Sequence, residues 1–341
     1  MTHWRIVFIV LLFATLTQAQ EKPAPKTLFK PDAFQTLVNP NCSHCVDEAK
    51  RRAKDLRDDD RVLAWTRGKY DGGAIPIRFF LNPYRVISDT YGTFVYDPEA
   101  GYARAFKASL DFRFHGWRNG IMVMKHKDGT LFSCLSGVAF DGPRKGERLE
   151  SWPTIVTDWR WWLQNYRDTV AYHMYEKYTP TELPKDANAD SARTRGKVDS
   201  RLPVDALVLG IWDGKTAMAV PMSHFVNGTT AAFGEGDWLV LWYGPTKTAA
   251  AFRPIAELRK PTTKLGVQGD LAEEKKVTLR TEGLMMADMP FVDAETGSRW
   301  DITGRCREGK LKGWTLAPLD AVMVKWFAWV AEYPETTVQG K

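Results

Sequence analysis

Trp159-Arg160-Trp161-Trp162-Leu163-Gln164-Asn165-Tyr166-Arg167-Asp168-Thr169 and Trp326-Phe327-Ala328-Trp329-Val330-Ala331-Glu332-Tyr333-Pro334-Glu335-Thr336 share two tryptophans, a tyrosine and a threonine at identical spacing, 326 − 159 = 167 residues apart. Upstream, Gly137, Gly142, Lys145, Gly146 and Leu149 recur at the same offset as Gly304, Gly309, Lys312, Gly313 and Leu316. Nine matches at one offset predict a duplicated unit. In the second stretch Trp326, Trp329, Val330 and Tyr333 fall at helical spacing, so one apolar face can dock on a sheet. Short helices are therefore expected over Asp158–Gln164 and Val324–Glu332.

The front of each copy agrees at another offset. Val62-Leu63, Gly68-Lys69 and Phe106 recur as Val208-Leu209, Gly214-Lys215 and Phe252, 208 − 62 = 146 apart. Gly129 and Phe132 then match Gly297 and Trp300, 297 − 129 = 168 apart. The difference, 168 − 146 = 22, predicts an insertion in the second copy between Phe252 and Phe291.

Local pattern is mostly strand. Ile75–Phe80, Gly92–Tyr96, Leu110–Phe114 and Ile121–His126 are short, rich in β-branched and aromatic residues, and bounded by turn formers. Asp128-Gly129 is a hairpin turn signal, with Thr296-Gly297 as its counterpart. Ahead of the first copy, Val46, Ala49, Ala53 and Leu56 make an apolar stripe, which predicts a helix over Cys45–Leu56 capped by Asn41 or Ser43. The expected fold is α+β and β-rich: two tandem copies of a mostly antiparallel β unit, each closed by a short C-terminal helix, preceded by a short N-terminal helix. The expected organisation is a signal peptide (1–19), an N-terminal segment with CxxC (20–58), a first unit (59–178), a Pro-, Asp-, Lys- and Ser-rich linker (179–201) and a second unit (202–341).

The leader reading rests on Arg5, the apolar run Ile6–Ala14 and the small residues Thr17 and Ala19. That run is shorter than the roughly 20 residues a spanning helix needs. No later segment has the apolar length of a span. The mature chain is thus expected to be exported, to a periplasm or beyond, without a transmembrane helix. A net charge of +6 comes from 47 basic residues interleaved with 41 acidic ones. Nucleic acid needs a concentrated positive face, so it is not an expected partner.

Gly120-Ile121-Met122-Val123-Met124, Asp128-Gly129-Thr130-Leu131-Phe132-Ser133, Gly137, Gly142-Pro143, Gly146, Leu149 and the Trp159 end resemble the bacterial DUF3179 family. Phe291-Val292-Asp293, Thr296-Gly297-Ser298-Arg299-Trp300 and Tyr333-Pro334-Glu335-Thr336 resemble it again. The likeness covers roughly residues 60–175 and 205–338, as two copies. It implies a fold unit and a bacterial source, but no reaction, since the family's function is unassigned. Many members carry Tyr-Cys-Pro-x-Cys in mid-domain. Here the matching stretches are Tyr96-Asp97-Pro98-Glu99-Ala100 and Trp242-Tyr243-Gly244-Pro245-Thr246, neither with a cysteine. Chemistry belonging to those thiols does not carry over.

Cys42-Ser43-His44-Cys45 is the sharpest local feature. Two thiols at a helix start can act as a redox pair. With His44 they can hold zinc or copper. They can also close as a plain disulfide. All three readings stay open, as does the connectivity of Cys42, Cys45, Cys134 and Cys306. Haem attachment in its usual form needs His after the second Cys, where Val46 stands. His115 and His126 are further candidates, facing each other across a hairpin that pivots at Asn119-Gly120. Met285, Met286 and Met289 could suit Cu(I), as could Met122 and Met124, but methionine more commonly fills cores. No serine sits in a Gly-x-Ser-x-Gly elbow. Trp161, matched by Ala328, is the tryptophan expected to be freest to face solvent. The leading expectation is a binding module that handles a metal or an electron pair. The alternatives are an enzyme with a cleft between the two copies and a structural envelope protein.

Overall fold

The computed structural model describes residues 34–39, 46–48, 56–67, 70–81, 84–107, 110–167, 169–172, 199–226, 228–260, 269–282 and 288–339. Among them are two α-helices, α1 (Trp159–Asn165) and α2 (Trp326–Glu332). Apart from short 3-10 turns, the remaining regular structure is strand, in mostly antiparallel sheets.

Two of these sheets carry the helices. Thr154–Asp158, Arg61–Arg67, Tyr70–Pro76, Val170–Tyr172 and Val46–Glu48 lie in that order in one. Asp320–Lys325, Leu207–Trp212, Ala217–Pro221 and Thr337–Val338 lie in that order in the other. In both, the first three strands are antiparallel and the fourth runs parallel to the third. Arg61–Arg67 reads as a continuous apolar run because the sheet is covered on both faces. Val62 and Ala64 enter one core while Leu63 and Trp65 enter another, as the two-residue period of a strand requires.

The repeated tryptophan spacing has a local cause. In α1 the Trp162 and Tyr166 rings stack at 4.1 Å, and the buried Trp162 Nε1–H donates to Thr169 Oγ1 at 2.8 Å. In α2 the Trp329 and Tyr333 rings lie 4.4 Å apart, and Trp329 Nε1–H donates to Thr336 Oγ1 at 2.9 Å. A buried indole N–H needs an acceptor. The threonine supplies it and ties the chain leaving each helix back to the helix. Gly137 and Gly304 have φ of +71° and +77°, and a Cβ there would lie 2.7 Å from the Phe106 ring and 2.5 Å from the Phe252 ring. Both conformation and space require glycine.

Each large core draws on both halves of the chain. One combines Val86, Val95, Phe106, Phe112 and Phe132 with Val208, Val324, Trp326 and Trp329. The other combines Val62, Trp159, Trp162 and Tyr166 with Leu241, Phe252, Phe291, Trp300 and Leu316. Each closing helix is thus docked on its own sheet and packed in a core that the opposite half helps to fill. Polar contacts also join the halves: Tyr166 Oη donates to Asp301 Oδ2 at 3.1 Å, and Arg148 Nη2 donates to Tyr333 Oη at 3.1 Å.

Several expectations are corrected. Of the N-terminal helix expected over Cys45–Leu56, Cys45 and residues 49–55 lie outside the described residues. Val46–Glu48 is instead an edge strand antiparallel to Val170–Tyr172, where the sheet offers backbone partners that a narrow apolar stripe on an isolated helix cannot match. The strand expected over Ile75–Phe80 ends at Pro76, which has no N–H for the ladder, and Ile77–Leu81 turns as a 3-10 helix that buries Phe79 and Phe80. Trp161 does not face solvent: it is 5% exposed, its ring 5.8 Å from that of Tyr243. Between Phe252 and Phe291, where the insertion was expected, Thr248–Arg259 runs for 12 residues and pairs with Leu271–Lys276, all six of whose residues are exposed. The expected linker lies outside the described residues up to 198, as does the expected leader. No helix among the described residues is long and apolar enough to cross a membrane.

Candidate functional site

Cys42, His44 and Cys45 lie outside the described residues, as do Met285, Met286 and His173. The hairpin expected at Asn119-Gly120 forms, with both residues at positive φ. It does not bring His115 and His126 together. His126 pairs with Phe112, and His115 sits in a bulge of the ladder between Phe114 and Gly116. His126 Nδ1 lies 3.0 Å from Asp128 Oδ1. Asp128 also accepts the Thr130 N–H at 2.8 Å, and hydrogen bonds from the Thr130 side chain and backbone, with His126 beside them, hold its carboxyl well below the usual range. Burial and the nearby Lys125 lower the His115 imidazole.

Cys134 and Cys306 are free and buried in separate cores. Burial pushes the Cys306 thiol up to about 11 and the Cys134 thiol well above the ordinary value, so neither is a ready thiolate. Met122 and Met124 are core residues with no exposure. Among the described residues no group of three or more His, Cys, Asp or Glu side chains is placed to hold a metal ion.

The arrangement with chemical content is a cleft on the seam between the two halves. Its volume is about 350 Å³, within the usual range for small-molecule sites. Small residues make the space: Ala64, Ala249, Ala250, Ala251 and Ala321 line it, with Leu149, Ile155, Pro318 and Leu319 as apolar walls. A second hollow of about 220 Å³ shares Thr154, Ile155, Ala249 and Ala321 with it and continues along the seam.

One side of the cleft is charged. Arg104, on the strand Tyr102–Phe106, is 5% exposed along its side chain, and its Nη2 lies 2.7 Å from Asp320 Oδ1. The same nitrogen donates to Ser151 Oγ at 2.6 Å, and Ser151 Oγ donates to Asp320 Oδ2 at 3.3 Å. Arg148 Nη1 lies 3.8 Å from Asp320 Oδ2 and donates to the Ser136 carbonyl at 3.1 Å. Its guanidinium sits 4.6 Å from the centre of the Trp212 ring and 5.9 Å from that of Tyr333. Stacking and hydrogen bonds together fix its orientation. At the rim, Lys107 is paired with Glu150 and lies 5.2 Å from the Trp152 ring centre. The two halves cooperate in the cluster, since Arg104, Arg148 and Ser151 come from one and Asp320 from the other.

None of Arg104, Arg148, Ser151 and Asp320 was singled out by the sequence, because no spacing motif links residues so far apart. A signal was present all the same. At the offsets of the matched positions, Arg104 faces Ala250 (250 − 104 = 146), while Arg148, Ser151 and Asp320 face Thr315, Pro318 and Pro153 (315 − 148 = 167, 318 − 151 = 167, 320 − 153 = 167). Three of these four positions, those of Arg104, Arg148 and Asp320, differ in charge between the compared stretches, and Ser151 differs in polarity from Pro318.

A family model described as a protein of unknown function, DUF3179, matches residues 40–336. No curated protein and no solved structure matches the chain.

Proposed function

Because the chain belongs to the DUF3179 family, which has no assigned function, we propose from its geometry that it is an exported, duplicated binding module holding a small organic ligand in the seam cleft. The carrying observation is the cleft itself: about 350 Å³, apolar over most of its walls and charged on one side. Duplication is supported by the nine matches at one offset together with the like hydrogen bonds Trp162–Thr169 and Trp329–Thr336. Two copies that share their cores leave a seam, and seams between units are common ligand sites. The reading is of binding rather than turnover because the acids lining the cleft are already held in ion pairs, Asp320 with Arg104 and Glu150 with Lys107. Export rests on the leader pattern of residues 1–19.

The test is intrinsic tryptophan fluorescence, since Trp65, Trp152 and Trp162 line the cleft, read against a panel of small organic acids, amides and alcohols. Ala250→Leu puts three extra carbons into the space. Binding by the wild type that this variant loses, with its far-UV circular dichroism unchanged, is the expected result. Equal binding by a folded Ala250→Leu protein overturns the cleft as the site.

A second reading keeps the thiols, with zinc or copper held by Cys42, His44 and Cys45. Val46, which follows Cys45 in the chain, is paired with Tyr172, which precedes His173. His173 is a further ligand to try. Stoichiometric metal uptake lost in Cys42→Ser/Cys45→Ser and weakened in His173→Ala is the outcome that supports it. Uptake unchanged in the double variant removes it.

A further inference from the structure

Resting on the cleft reading, we infer that the ligand is a small amphipathic monocarboxylate whose anionic head is bound by Arg104 and Arg148 beside Asp320, with its apolar body over the alanine surface of Ala249–Ala251. Charge counting leads there. Two guanidiniums face a single carboxylate, so the cluster is one negative charge short of neutral, while Lys107 and Glu150 neutralise each other at the rim. Arg104, 5% exposed, holds Asp320 at 2.7 Å, so the excess positive charge falls on the looser pair of Arg148, at 3.8 Å and 28% exposed. A monoanion completes the balance, whereas a phosphate dianion overshoots it.

The shape of the head is set by what already sits there. Asp320 spreads its two oxygens between Arg104 and Arg148, with Ser151 donating to one of them. The guanidinium fork matches the planar, two-oxygen geometry of a carboxylate. Arg148 is 28% exposed along its side chain and held by rings and carbonyl from behind, so it presents a pre-oriented donor set and little side-chain entropy is lost on binding. The apolar body follows from the walls: Ala249, Ala250 and Ala251 line the cleft together with Pro318 and Leu319 and offer no charge. The cleft has space for on the order of ten waters, which sets the scale of the ligand. At the corresponding offsets stand Ala250, Thr315, Pro318 and Pro153, so a single head site is expected per chain.

The experiment titrates the full mature chain by calorimetry with benzoate, 3-phenylpropionate and octanoate, with benzamide and 3-phenylpropanol as neutral counterparts, and with phenyl phosphate. Carboxylates are expected to bind about tenfold or more tighter than their neutral counterparts, the scale of one charge-assisted hydrogen bond. Arg148→Gln is expected to remove that preference while leaving the neutral ligands as they were. Asp320→Asn keeps a hydrogen-bonding side chain and frees positive charge, so it is expected to tighten carboxylate binding, a direction that misfolding cannot imitate. Neutral ligands bound as well as carboxylates, in a manner that Ala250→Leu abolishes, overturn the monocarboxylate and leave the cleft reading standing. Preference for phenyl phosphate over benzoate overturns it in favour of a dianion. Binding of no probe overturns both.

Discussion

The two closing helices and the two sides of the seam behave in opposite ways. Around α1 and α2 the same tryptophan, tyrosine and threonine make the same hydrogen bond and a like ring contact, stacked at 16° in α1 and tilted at 40° in α2. On the seam, Arg104, Arg148, Ser151 and Asp320 stand at positions whose offset counterparts are alanine, threonine and two prolines. Folding asks the same of both halves, because each helix must bury its ring stack and satisfy its indole N–H. Ligand chemistry asks it of one place only. Likeness between the halves therefore marks what holds the protein together, and unlikeness marks where chemistry is to be sought.

The largest expected effect breaks the likeness at its centre. Trp162→Ala and Trp329→Ala each remove a fully or almost fully buried ring, and each is expected to destabilise the fold by about 3–5 kcal/mol. Urea unfolding measures both. Costs that differ by more than about half would mean the two environments are alike in geometry but not in energy. A smaller effect isolates the shared hydrogen bond. Thr169→Val and Thr336→Val keep the shape and leave the indole N–H of Trp162 or Trp329 without its acceptor. Each is expected to cost about 1–3 kcal/mol, with near-additivity in the double variant because Trp162 and Trp329 lie in separate cores. Strong coupling between them would show that the two helices report to one another from core to core.

These features were unequally legible in the sequence. The helices and the hairpins at Asn119-Gly120 and Asp128-Gly129 were readable because each rests on local spacing: the few residues of a helical face, two of a turn. The edge strand Val46–Glu48 was misread as helix, since a strand's partner, Val170–Tyr172, lies more than a hundred residues on and leaves no local mark. Trp161 was misplaced for a related reason. Its burial depends on Tyr243, which belongs to the opposite half, and local pattern carries nothing about which half covers which. The charged cluster was missed on both counts, being assembled from far-apart residues and visible only as mismatches between stretches otherwise compared for what they share.

The mildest effect concerns the acids that each half buries at unlike positions. Asp97 is fully buried, and burial, then the Glu99 charge, push its carboxyl up to about 8. Its counterpart at 97 + 146 = 243 is Tyr243. Asp301 is also fully buried and raised, chiefly by burial, and stands where the first half has Ser133 (301 − 168 = 133). An acid raised in the folded state stabilises the fold in its protonated form. That contribution is complete below the unfolded value of 3.8, and for Asp97 it is lost as pH rises through about 8. Wild-type stability is therefore expected to fall between those limits. The slope should be shallow, because Asp97 also accepts the N–H groups of Glu99, Ala100 and Met122, each at 3.1 Å, and these favour the charged form. Asp97→Asn should flatten the upper part of the profile, with Asp301→Asn removing the slope that remains. Unfolding midpoints in urea across pH 4 to 9 read this directly. A profile that Asp97→Asn leaves unchanged would mean that its three backbone donors outweigh burial, and that the two halves differ in this acid without any consequence for their stability.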